Sequence, residues 1–137
     1  MKTKILAALL VASLPGLAQA QAVAENNGLL TNAAGQTLYT FDKDAADKSH
    51  CNGPCAAIWP PFAAQPGAQA RGDYSLVRRE DGSLQWALKG KPLYLYAADG
   101  KPGEAQGDGK GGVWHVVKTG SAAPVAATAP AGYNSGY

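Results

Sequence analysis

Two groups of residues in this sequence have types and spacing that could do chemistry. The first is the loop His50-Cys51-Asn52-Gly53-Pro54-Cys55. Two sulfurs with three residues between them close a local disulfide in an oxidising compartment, and Gly-Pro supplies the turn. Closing so short a loop stabilises by roughly 2 kcal/mol on the chain-entropy estimate. Reduced, the same thiolates beside His50 would hold a soft metal such as copper(I), or take part in thiol exchange. Ligand supply counts against this alternative: the other histidine is His115 and the one methionine is Met1. The spacing also differs from the Cys-x-x-Cys-His pattern of covalent haem.

The second group is an aromatic pair followed by an acid: Tyr39-Thr40-Phe41-Asp42-Lys43-Asp44. The chain writes it again as Tyr94-Leu95-Tyr96-Ala97-Ala98-Asp99, with Leu38 answering Leu93. At the same offset Leu29 meets Leu84 and Trp59 meets Trp114. A constant offset over this many matches marks an internal duplication. On a strand, Tyr39 and Phe41 share one face and Leu38 and Thr40 the other. Tyr94 and Tyr96 likewise share a face, with Leu93 and Leu95 behind, which suits a central strand. Asp44 and Asp99 fall where the alternation stops, so each carboxylate can accept backbone N–H bonds and fix the turn. An aromatic core closed by turn-forming acids is the first reading, and a ligand-binding motif of Tyr39, Phe41, Asp44, Tyr94, Tyr96 and Asp99 is the second.

Other arrangements give little. Asp42, Asp44 and Asp47, like Asp99, Glu104 and Asp108, lack a calcium-loop spacing. Asp108-Gly109-Lys110-Gly111-Gly112 lacks the strand–loop–helix context of a phosphate cradle. No Gly-x-Ser-x-Gly elbow occurs, and Ser49 beside His50 is adjacency, not a triad. The expectation is a protein that is not an enzyme and carries no cofactor.

The elements that must position these residues are short strands. Val23 to Thr31 reads as a first strand and Asn32-Ala33-Ala34-Gly35 as a turn before the Tyr39 strand. Tyr74–Arg79 and Ser83–Leu88 flank Glu80-Asp81-Gly82 as a hairpin, and Lys89-Gly90 leads to the Tyr94 strand. Val113 to Val117 forms a last strand, and Cys55 to Trp59 has room for one helical turn. The fold class is all-β, a small, mainly antiparallel domain of two tandem repeats, about 28–62 and 83–117, as a sandwich or partly open barrel. Trp59 and Trp114 are expected to plug matching ends of the core.

Residues 1–20 read as a signal peptide: Lys2 and Lys4, a short apolar run, then Ala18-Gln19-Ala20 for cleavage. Its removal leaves ten basic side chains against ten acidic ones. A near-zero charge without a basic face argues against nucleic acid as partner. Residues 119–137, rich in Ala, Pro and Gly, read as a disordered tail, which leaves 21–118 as the domain.

The two motif copies, the Cys51/Cys55 loop, Trp59-Pro60-Pro61 and Trp114-His115 resemble a bacterial secreted-repeat family. Its members are predicted lipoproteins with a Tyr-x-(Phe/Trp/Tyr)-x-x-Asp motif, and the family has no established biochemical activity. This chain departs from it in having no cysteine near the cleavage point to carry a lipid, so no stable membrane anchor is expected. The expected function is a periplasmic or secreted binding module, presenting Trp86 and the tyrosines to a protein or glycan. The alternative is a thiol-redox or copper(I)-handling protein using Cys51, Cys55 and His50.

Overall fold

A computed structural model describes residues 23–119; the signal-peptide reading and all of the tail but Thr119 lie outside them. The described residues form seven short strands: β1 (Val23–Asn26), β2 (Leu29–Asn32), β3 (Tyr39–Phe41), β4 (Tyr74–Arg78), β5 (Leu84–Leu88), β6 (Lys91–Pro92) and β7 (Trp114–Val116). A single-turn helix α1 (Pro54–Ile58) follows the cysteine loop, and a 3-10 turn (Lys110–Gly112) precedes β7. All named strand pairs are antiparallel: β1 with β2, β3 with β7, and β4–β5–β6 in order. These small sheets form no closed barrel.

The expected single strand at Val23–Thr31 is instead a hairpin. Asn27 and Gly28 both take positive φ (50° and 78°), the two-residue turn that matches strand twist. Lys89 and Gly90 repeat it at 50° and 78° between β5 and β6. Structural equivalence also slips by one residue from the expected pairing of Leu29 with Leu84. Leu38 N–H bonds Leu30 O at 3.0 Å, while Leu93 N–H bonds Trp86 O at 2.9 Å, so Leu30 answers Trp86.

The repeats exchange their ends. Trp86 N–H reaches Phe62 O and Phe62 N–H reaches Leu93 O, both at 2.9 Å. In mirror fashion Leu30 N–H reaches Val117 O at 2.8 Å and Val117 N–H reaches Leu38 O at 3.2 Å. Phe62 of the first repeat thus completes the second, and Val117 of the second completes the first. Between them Tyr39 and Tyr94 trade N–H···O bonds of 2.8 and 2.9 Å, which places an approximate twofold between the tyrosines. Tyr94 also bridges Pro61, so its strand is central, as its two apolar faces require.

Strand alternation sorts the side chains into two cores. Leu38 and Leu93 point into one, with Leu30, Phe62, Tyr74, Trp86, Leu88 and Val117. Tyr39 and Tyr94 point into the other, with Cys51, Trp59 and Trp114, and Phe41 and Tyr96 pack against it. The tryptophans do not plug separate, matching ends of the core. They stack face to face, ring centroids 3.8 Å apart and planes within 5°. Phe41 lies on Trp114 and Tyr96 on Trp59, each at 4.2 Å, which extends the pair to four rings. The duplication is the reason: a residue close to a twofold meets its own counterpart. Gly107 is held to glycine here, because a Cβ would sit 2.5 Å from the Trp59 ring.

Trp59→Ala and Trp114→Ala should each cost about 3–5 kcal/mol in urea melts, since both rings are buried. Because each ring packs on the other, the double variant should lose less than the sum. Additive losses, or a change under about 1 kcal/mol at either site, would contradict the stack.

Candidate functional site

The motif residues meet across the repeats, each tyrosine hydrogen-bonding the other copy's acid. Tyr39 OH donates to Asp99 Oδ2 at 2.5 Å, and Tyr94 OH donates to Asp44 Oδ2 at 2.6 Å. Both tyrosines have 0% exposure. Each acid also fixes the loop that follows its strand. Asp44 Oδ1 accepts His50 N–H at 2.7 Å, and Asp99 Oδ1 accepts Gln106 N–H at 2.9 Å. The backbone N–H groups of Asp44 and Asp99 return to Phe41 O and Tyr96 O, both at 3.1 Å. The spacing has a mechanical basis: the acid must clear the strand, turn back and cap a long loop.

The copies differ in what stands behind each phenol. A tyrosine has one hydroxyl proton, and Tyr94 gives it to Asp44, so Ser49 Oγ donates to the Tyr94 oxygen at 2.6 Å. Arg79 in turn donates to Ser49 Oγ at 3.0 Å. A directed chain therefore runs from guanidinium through two hydroxyls to a carboxylate. Arg79 is buried and spends its other bonds on Gln85 Oε1, Cys51 O and Asn52 Oδ1. Gln85 passes the order on, donating to Leu93 O at 2.6 Å. Behind Tyr39 the donor among the described residues is a backbone one, Gly107 N–H at 3.2 Å. Burial and the carboxylate beside it push each phenol well above the usual tyrosine range.

Cys51 and Cys55 form a disulfide, Cα atoms 5.2 Å apart, with Cys51 packed in the aromatic core. His50 is exposed, and its backbone N–H, not its ring, bonds Asp44. No group of three or more metal-ligating side chains occurs among the described residues. His115 Nε2 and Asp42 Oδ2 lie 2.7 Å apart on the surface. Trp86, expected at the surface, is buried in the first core, because the offset that Leu30 occupies faces inward. A shallow groove of about 250 Å³ lies along Thr40–Asp42, Asp44–Ala46 and Lys89–Pro92.

A family model described as "secreted repeat of unknown function" matches residues 21–63 and 75–118. The chain belongs to this secreted-repeat family. Its two matched segments are the two exchanged halves, so the Tyr-x-(Phe/Tyr)-x-x-Asp motif that resembles the family's is, in three dimensions, a contact between repeats. No curated protein and no solved structure matches the chain. No helix among the described residues is long and apolar enough to cross a membrane.

Sequence reading found the six motif residues but not their cross-repeat partnership. It dismissed Ser49 as mere adjacency to His50 and gave Arg79 and Gln85 no role. Arg79 follows Arg78 at a hairpin, and no local signal separates the exposed one from the buried one. Gln85 sits between Leu84 and Trp86, where alternation predicts an outward residue; its burial follows from strand pairing on both sides.

Burial raises the Asp44 carboxyl above its ordinary value, against the His50 and Tyr94 hydrogen bonds and two positive charges that lower it. A raised native value means that folding favours the protonated form. That contribution is complete below the unfolded value of 3.8 and is lost as pH rises through the native one. Asp44→Asn lacks this loss, so its stability relative to wild type should improve from about pH 3 to about pH 7 in urea melts. A difference that stays flat or moves the other way would contradict it. Cys51→Ser with Cys55→Ser should cost about 2 kcal/mol, a fall of several degrees in Tm by calorimetry. An unchanged Tm would show that the bond carries no load.

Proposed function

We propose that the protein is a non-catalytic extracytoplasmic binding module whose contact site is the groove beside the first motif copy. The observation that supports this reading is where the motif chemistry goes. The tyrosines, the acids and the sulfurs are committed to one another inside the domain, as in a scaffold. What lines one concavity is the free edge of a half-buried aromatic ring, Phe41, whose face lies on Trp114, beside Thr40, Asp42 and Lys91. An apolar ring with a few convergent polar groups is the composition of small-ligand sites. The volume suits one sugar ring, and side chains of both signs suit a neutral, hydroxyl-rich ligand more than a strongly charged one.

The test is a titration of the ¹⁵N-labelled protein with soluble β-linked N-acetylhexosamine oligomers, and with short neutral peptides as the comparison. Shifts should concentrate on 40–46 and 89–92, saturate with the sugar and not with the peptide. Lys91→Glu should weaken binding by about tenfold, or 1.4 kcal/mol. Saturable shifts centred elsewhere, or none at millimolar sugar, would overturn the reading.

A further inference from the structure

The stack is more than packing material, because its rings are also oxidisable. Trp59 and Trp114 overlap almost fully at 3.8 Å, and Tyr96 continues the overlap to a half-exposed edge of the domain. Tyr39 meets Trp59 edge-on at 5.3 Å and Tyr96 at 6.2 Å; Tyr94 meets Trp114 at 5.2 Å. Stacked indoles share a positive hole, and centroid separations this short allow rapid electron transfer between neighbours. A phenol is a stable end point for such a hole only if its proton has somewhere to go. Here each buried phenol already points its proton at a carboxylate.

From this arrangement we propose that the domain is a one-electron donor to small radical oxidants, with the hole drawn inward from the ring stack to Tyr39. The oxidant class is a peroxyl-type radical, which takes one electron from the stack and leaves as the peroxide anion. An electron then passes from Tyr39 to the oxidised indole, and the phenol proton moves to Asp99 Oδ2. The products are a neutral tyrosyl radical, a restored tryptophan and a protonated Asp99; electrons and protons balance.

The two copies are not equal in this role. After transfer the proton stays beside the phenol, so the site gains one positive charge. Near Tyr94 that charge falls within reach of the buried Arg79 guanidinium, joined to it through Ser49. Near Tyr39 the additional donor is the neutral Gly107 N–H. Protonating Asp44 would forfeit its attraction for that guanidinium, an attraction strong in a poorly solvated interior, so the hole settles on Tyr39.

Pulse radiolysis with the azide radical tests this on the intact protein, since that radical oxidises indoles by one electron. Tryptophanyl signal should decay as tyrosyl signal grows, in one first-order phase whose rate does not depend on protein concentration. Tyr39→Phe should abolish that phase, Tyr94→Phe should leave it, and Asp99→Asn should slow it about a hundredfold, as loss of a proton acceptor does. A phase that survives Tyr39→Phe, or a rate proportional to concentration, overturns the proposal. Should the variants not fold, the wild type still tests whether the hole moves inward. Its freeze-trapped tyrosyl radical should keep its relaxation in the presence of a dissolved paramagnetic ion, and a radical that the ion relaxes is on an exposed ring and overturns it.

Discussion

The structure depends on a single constraint: two copies of a short strand must lie antiparallel, tyrosine opposite tyrosine. Tyr39 and Tyr94 satisfy each other's backbone, and their hydroxyls reach the carboxylate at the far end of the other strand. A buried phenol without an acceptor would lose its water for nothing. Each acid supplies that acceptor and also holds its own loop by a backbone N–H. One residue type therefore joins the strand, the loop and the opposite repeat, which explains why tyrosine, aromatic and acid recur together.

From that junction the rest follows by geometry. The faces turned toward the twofold stack into four rings, and the faces turned away fill a second, mostly aliphatic core. Symmetry is broken where the loops differ. The first loop carries the disulfide and recruits Arg79; the second uses Gly107 to let the Trp59 ring pass beneath its backbone.

Much of this was legible in the sequence, and the limits have physical causes. Alternation assigned Leu38 and Tyr39 to opposite faces, and the duplication paired Tyr39 with Tyr94, because both are local regularities. The Gly-Pro cysteine loop and the short helix after it were readable for the same reason. The Asn27-Gly28 hairpin was missed although its dipeptide is a strong turn signal, because the apolar run on either side reads as one strand. The stacking of Trp59 on Trp114 and the burial of Arg79 and Gln85 depend on which strands meet across the domain, and no window of neighbouring residues contains that. The groove is assembled from residues 40–42, 44–46 and 89–92, so it too exists only once the repeats have met.

The exchange of Phe62 and Val117 has a consequence for how the chain comes to be folded. The first repeat has no complete sheet of its own: its hairpin waits for a strand that emerges almost at the end of the domain. Contacts of such long sequence separation form slowly and together. A half-synthesised chain thus cannot close either core. For a protein of a secreted family, that keeps the polypeptide open and threadable until its last strand is made, with the order of synthesis acting as a timer.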